Sequence, residues 1–136
     1  MIDTLNIFLI EDDRIEVMKL NRTISSLKLK HKITEANNGE DALKILENKD
    51  ELPDIILLDL NMPKINGLEF LNTLKSDEIL RYIPTIILTT SSNKKDLLEC
   101  YKLGIAGYVL KPLTYDDYVL KIRKILDYWS INELYK

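Results

Sequence analysis

Three consecutive carboxylates, Glu11, Asp12 and Asp13, follow an apolar run at Leu5–Ile10. A fourth, Asp59, directly follows the apolar run Ile55–Leu58. The hydroxyls of Thr89, Thr90, Ser91 and Ser92 come after Thr85–Leu88, and Lys111-Pro112 come after Tyr108–Leu110. If these segments meet in space, the chain brings three or four carboxylates, several hydroxyls and one ammonium to one place. Carboxylates held together repel and do not all stay ionised without a counter-charge. A divalent cation supplies one, and Mg2+ takes a few carboxylates plus waters and binds phosphate oxygens readily. Lysine adds a point charge suited to a phosphoryl group, and a threonine adds a donor. Together they read as phosphoryl-transfer chemistry, with an acidic nucleophile, a metal, and donors aimed at the equatorial oxygens.

Whether they meet depends on the elements that carry them. The runs Leu5–Ile10, Lys32–Ala36, Ile55–Leu58, Thr85–Leu88 and Tyr108–Leu110 are short and bounded by charged or turn residues, as strands buried on both faces are. Between them the spacing turns helical: Val17, Met18, Leu20, Ile24 and Leu27; then Ala42, Leu43, Ile45 and Leu46; then Leu68, Phe70, Leu71 and Leu74. Asn38-Gly39 and Asn66-Gly67 predict turns before the second and third helices. Asn93 is an expected N-cap and Gly104 an expected stop for a helix carrying Leu97, Leu98, Tyr101 and Leu103, and Thr114 could cap the last helix. In that helix Val119, Ile122, Leu126 and Trp129 form the predicted buried stripe. The order is (βα)5, an α/β doubly wound five-stranded parallel sheet with helices on both faces. Ligands of such sheets sit beyond the carboxyl ends of the strands, where all the residues named above fall.

Taken singly, each has a plainer explanation. Glu11-Asp12-Asp13 could cap a helix, Asp59 could be a loop acid, Lys111 a solvated lysine, Thr89 a strand-end hydroxyl and Tyr108 a strand-former. His31 and Cys100 carry no predicted chemistry. Only the joint occurrence at four strand ends favours a site.

Composition narrows the remaining classes. With 136 residues, one domain is expected. Nineteen basic against 22 acidic side chains give a formal charge of −3, which lacks the basic footprint of a nucleic-acid binder. One cysteine and one histidine exclude an internal disulfide and a Cys/His metal site. The start, Met1-Ile2-Asp3-Thr4, lacks a basic targeting region, and the apolar runs are far shorter than the ~20 residues of a membrane span, so the expected location is the cytoplasm with no membrane partner.

Four stretches carry a resemblance: FLIEDD at 8–13, PDIILLDLNMPKINGLEFL at 53–71, IPTIILTTSS at 83–92 and LGIAGYVLKPL at 103–113. In this order they resemble the response-regulator receiver domain of two-component signalling, over about residues 4–128. The resemblance implies the flavodoxin-like strand order 2-1-3-4-5. It implies Asp59 as phosphoacceptor, and Glu11 and Asp12 as the acidic pair that holds Mg2+ together with Asp59 and the backbone carbonyl of Asn61. Thr89, Thr90 and Lys111 would line the phosphoryl group, Asp13 would lie just outside the metal site, and a cis bond would precede Pro112. Thr89 and Tyr108 would form the switch, and Asn61 and Ser91 would tune the phosphoryl lifetime. Thr89 and Lys111 follow Asp59 by 30 and 52 residues, as in that family. Thr90 departs from the family's usual Ala or Gly.

A narrower resemblance, carried by LTTSS at 88–92, Tyr101-Lys102-Leu103-Gly104 and Tyr128-Trp129, is to the stand-alone regulators of bacterial phytochrome-type kinases. It implies a sensor histidine kinase as donor, a histidine phosphotransfer protein as a further candidate partner, and output by protein–protein binding or a homodimer through the fourth-helix/fifth-helix face. Residues 1–128 would be the receiver, and 129–136 an extension of the last helix with no output domain. The expectation is a switch that catalyses only its own phosphorylation and dephosphorylation. Two alternatives belong to other classes. An aspartate-nucleophile phosphatase would carry Asp-x-Asp where this chain has Asp59-Leu60-Asn61, and a phosphorylation-independent scaffold would typically have lost one of the acidic pair, the acceptor or the lysine.

Overall fold

The five apolar runs become the five strands of one parallel sheet. The computed structural model describes residues 4–62 and 65–136. Residues 1–3, at the start of the chain, and Pro63 and Lys64, within the 53–71 motif, lie outside the described residues. The strands are β1 (Asn6–Ile10), β2 (Lys32–Ala36), β3 (Ile55–Leu58), β4 (Thr85–Thr89) and β5 (Gly107–Leu110). Their spatial order is β2-β1-β3-β4-β5, all neighbours parallel. The helices α1 (Arg14–Ser26), α2 (Gly39–Ile45), α3 (Gly67–Ser76), α4 (Lys94–Leu103) and α5 (Tyr115–Ser130) connect them, with a 3-10 turn at Leu80–Tyr82.

Each α-helix begins where a side chain takes up its orphan amides. Asp13, Asn38, Asn66, Asn93 and Thr114 are N-caps, and each accepts a hydrogen bond from an N–H two or three residues on. The two Asn-Gly pairs are therefore a cap followed by the first helical residue. Gly104 closes α4 in the left-handed region at φ 95°, which glycine enters without steric cost.

The sheet separates two apolar layers. Phe8, Ile10, Ile56, Leu58 and Ile87 face α2, α3 and α4 through Ala42, Leu46, Phe70, Leu71, Leu74 and Cys100. Ile7, Leu9, Ile55, Leu57, Ile86 and Leu88 face α1 and α5 through Val17, Leu20, Ile24, Tyr118, Ile122 and Leu126. The central strand β3 is buried over its whole length, which is why its four residues show no polar alternation. The buried stripe of α5 starts at Tyr118, not at Val119. Tyr118, Ile122 and Leu126 repeat every four residues, while Val119 is only half-buried.

The last helix does not continue to the end of the chain, as the extension reading expected. It stops at Ser130, where the Asn132 side chain donates to Tyr128 O at 2.6 Å and takes a last-turn carbonyl. The following residues return to the amino end of the sheet. Tyr135 meets Tyr82 edge-on at 5.0 Å, and Lys136 pairs with the buried Asp54. Trp129 is half-buried against the α1–α5 layer and does not project from it. No helix among the described residues is long and apolar enough to cross a membrane.

His31 has a structural task. Its Nδ1 accepts the Leu5 N–H at 2.9 Å, and burial holds its pKa below the usual histidine value against the opposing charge of Asp127. The unfolded chain therefore binds this proton more readily than the folded one. The stability His31 supplies is complete above its unfolded pKa and is lost as the pH falls through that value. Urea midpoints measured between about pH 7 and pH 5 should decline more steeply for the wild type than for His31→Gln. Parallel declines would contradict this role.

Candidate functional site

Three main-chain hydrogen bonds carry the parallel ladder past the ends of its strands. Glu11 N donates to Ala36 O at 3.0 Å, Asp59 N to Ile10 O at 3.1 Å and Lys111 N to Thr89 O at 2.8 Å. The residues following β1, β3 and β5 are thus held at one carboxyl edge, beside the end of β4. The local caps keep the helices clear of it: Asp13 Oδ1 accepts from Ile15 N at 2.9 Å, which turns α1 away directly after the acidic pair. Of the three successive acids, Asp13 is the cap, and Glu11 and Asp12 face the site.

Oxygens of Glu11, Asp12 and Asp59 lie within 4.8 Å of one another, the cluster among the described residues whose spacing would suit a metal ion. Glu11 is 3% exposed and Asp59 8%, whereas Asp12 is open to solvent. Glu11 also receives Lys111 Nζ at 2.6 Å. Burial, abetted by the Asp59 charge, pushes the Glu11 carboxyl up to about 7 against the pull of Lys111. Burial alone would lower the Lys111 pKa; the hydrogen bond and charge of Glu11, with Asp59 and Glu16, outweigh it and hold the ammonium above its ordinary value. Two buried carboxylates and one exposed one, with a single lysine among them, fit a hard divalent cation bound through oxygen. Asn61 sits at the mouth of a shallow cavity shared with Asp12, Leu60, Met62 and Asn66, next to the acids.

The β4 side supplies hydroxyls at graded depth. Thr89 is fully buried and its Oγ1 accepts from Ser91 N at 3.3 Å. Thr90 is exposed, so its extra bulk points away from the packed interior. Ser91 is tied to α4 through Asp96 at 3.1 Å. Tyr108 turns inward over this loop, and its hydroxyl donates to Ser91 O at 2.8 Å.

The bond before Pro112 is not the expected cis one. No cis peptide bond is present among the described residues, so the bond before Pro112 is trans. Trans is favoured by about 0.5–1 kcal/mol for an X–Pro bond. The Lys111 backbone and side chain reach Thr89 and Glu11 in this geometry.

Two contributors escaped the sequence reading. Gly67 N donates to Leu60 O at 3.0 Å, and a Cβ on Gly67 would stand 2.5 Å from Leu60 Cα and 2.8 Å from Asp59 O. The glycine lets α3 press against the peptide that carries Asp59. The Asn-Gly signal located it as a turn and gave no hint of that approach. Glu16, in the first turn of α1, lies 3.7 Å from Lys111 Nζ. An acid in a first helical turn is common for helix-dipole reasons, so its type alone carried no signal.

The family description "Response regulator receiver domain" matches residues 7–123. The chain belongs to the response-regulator receiver family. It is 34% identical over 131 residues to the probable methanogenesis regulatory protein FilR2 of Methanothrix harundinacea, covering 93% of this chain and 84% of that protein. It is 30% identical over 128 residues to response regulator Rcp1 of Synechocystis sp., covering 90% and 87%. The solved Mn2+-bound form of Rcp1 superimposes with a TM-score of 0.87 at 28% identity, over 97% of this chain and 99% of that one. The phosphorylated cyanobacterial phytochrome response regulator RcpA superimposes with a TM-score of 0.91 at 29% identity, over 98% and 99%. This receiver domain is thus related to phytochrome response regulators, and its sheet order is the flavodoxin-like one expected.

Proposed function

We propose that this receiver domain is a phospho-switch that takes a phosphoryl group onto Asp59 from a phosphohistidine of a sensor histidine kinase. The observation that carries the reading is the gathering of Glu11, Asp12 and Asp59 within 4.8 Å, with Lys111 2.6 Å from Glu11. Asp59 is the nucleophile: its carboxylate oxygen forms the new P–O bond, the P–N bond to the donor imidazole breaks, and the imidazole nitrogen retains the electron pair and takes a proton from water. Glu11, Asp12 and Asp59, with the Asn61 carbonyl, would hold Mg2+. Bound there, the cation would neutralise the carboxylates and the charge on the phosphoryl oxygens. Mn2+ in the Rcp1 structure supports a divalent ion at this edge.

Lys111 and Thr89 stabilise charge on the transferring group: the ammonium is already at the acidic cluster, and the Thr89 hydroxyl lies at the end of β4. Once Asp59 carries the phosphoryl group, Thr89 and Lys111 are drawn toward it, and the loop tied to Tyr108 through Ser91 follows. The switch biases a two-state surface by its differential contacts with the two states. The α4–β5–α5 face exposes Leu97, Leu98, Tyr101, Leu110 and Leu120, an apolar surface suited to a protein partner or a second copy. The chain acts on itself, in the cytoplasm, and turns over no free substrate. A phytochrome-type kinase is the proposed donor, on the likeness to Rcp1 and RcpA, and a histidine phosphotransfer protein is a further candidate partner.

Intact mass spectrometry after incubation with acetyl phosphate tests this. The wild type should gain one phosphoryl group with Mg2+ and none with EDTA, and Asp59→Asn should gain none in either. An adduct that persists in Asp59→Asn, or forms equally in EDTA, would refute the assignment.

A further inference from the structure

The two oxygens of Glu16 face different cations. Oε1 lies 3.5 Å from Lys19 Nζ, in the next turn of α1. Oε2 lies 3.7 Å from Lys111 Nζ, and it is the buried side-chain oxygen or nitrogen that has no hydrogen-bond partner among the described residues. An unbonded buried carboxylate oxygen is costly, and such atoms are rare in folded proteins. The ammonium of Lys111, 3.7 Å away, has three hydrogens to donate and is held 2.6 Å from Glu11. Moving that ammonium by about 1 Å would bring it to the ~2.8 Å of a charge-assisted bond with Glu16.

Glu11 has two competing tasks in the function proposed above. It is the partner of Lys111, and it is one of the three carboxylates of the metal cluster. When a cation draws its charge, Lys111 loses its main counter-charge while its side chain stays 8% exposed. A buried ammonium without a partner is strongly disfavoured.

We infer that Glu16 is a positioning residue: its free Oε2 receives the Lys111 ammonium when Glu11 turns to the metal, which keeps the lysine charged and beside Asp59. This rests on the metal-dependent reading of the site. It makes Glu16 act on the cation only through Lys111. Two other roles predict different behaviour. A helix-stabilising acid paired with Lys19 would affect melting and leave metal affinity alone. A carboxylate that merely adds negative potential would help the cation whether or not Lys111 is present.

Calorimetric titration with Mg2+ on the full chain separates these roles. The set is wild type, Glu16→Gln, Lys111→Met and the double variant, each checked for folding by thermal melting. Glu16→Gln should weaken Mg2+ binding by roughly tenfold in the wild-type background and by less than about twofold in the Lys111→Met background, since coupling of this kind disappears when the shared partner is removed. Equal weakening in both backgrounds, or none in either, would overturn the role. A wild type that fails to bind Mg2+ would instead overturn the metal-dependent reading itself, and this inference with it. A measurement needing no variant runs beside it: the NMR signal of the Lys111 ammonium in the wild type should shift on adding Mg2+ and show a new coupling to the Glu16 carboxylate. A signal that stays coupled to Glu11 alone would count against the transfer.

Discussion

Lys111→Met is expected to slow phosphorylation of Asp59 by acetyl phosphate by about 10²–10³-fold, the usual loss when one preorganised charge-stabilising donor is removed. The lysine reaches the site from the end of β5, and its backbone N–H is fixed on Thr89 O at 2.8 Å, which anchors the side chain beside the acidic cluster. The same substitution leaves Glu11 at 3% exposure without its 2.6 Å partner. Breaking a buried pair from one side costs about 3–5 kcal/mol. The lower end applies here, because a carboxyl pushed up to about 7 can take a proton instead of standing as a bare charge. Urea unfolding with and without Mg2+ should show that loss, with the cation restoring more stability to the variant than to the wild type. Time courses of the phosphorylated mass that coincide for the two proteins would remove Lys111 from the mechanism.

Gly67→Ala is the second large effect. The added methyl would stand 2.5 Å from Leu60 Cα and 2.8 Å from Asp59 O, and both atoms belong to backbone that has no rotamer in which to step aside. Either α3 retreats or the Asp59–Leu60 peptide moves. The expected cost is about 2–3 kcal/mol, in the range for overpacked interiors. Since the displaced peptide carries the acceptor, Mg2+ affinity should fall along with the unfolding midpoint. Gly104→Ala is the contrasting case. There a methyl meets nothing within 4 Å, and only the φ of 95° opposes it, so a cost of about 1 kcal/mol and unchanged Mg2+ affinity are expected. If Gly67→Ala lowered stability but left Mg2+ affinity intact, the contact with Asp59 would be irrelevant to the site.

The alternation of apolar runs and helix-spaced segments was enough to derive a parallel (βα)5 sheet, because strands buried on both faces must be continuous apolar runs and their crossovers must be helices. Lys32–Ala36 and Ile55–Leu58 were located to the residue. Asn93, Gly104 and Thr114 were legible as caps because capping depends on one side chain and its own backbone. The acidic cluster was legible for a related reason: Glu11, Asp12 and Asp59 sit immediately after strands, and a parallel sheet sends all such positions to one edge. Distances between elements are another matter. Nothing in the types of Glu16 and Lys111 told that one ammonium would stand between Glu11 and an unbonded oxygen of Glu16, and nothing in Asn66-Gly67 told that α3 would touch the Asp59 peptide. The return of Tyr135 to Tyr82, beyond the end of α5 at Ser130, was likewise decided by contacts among residues far apart in the chain. Local order follows from spacing and side-chain chemistry along the sequence; the partners of a buried charge follow from packing, which exists only once the sheet and its two helical layers have closed.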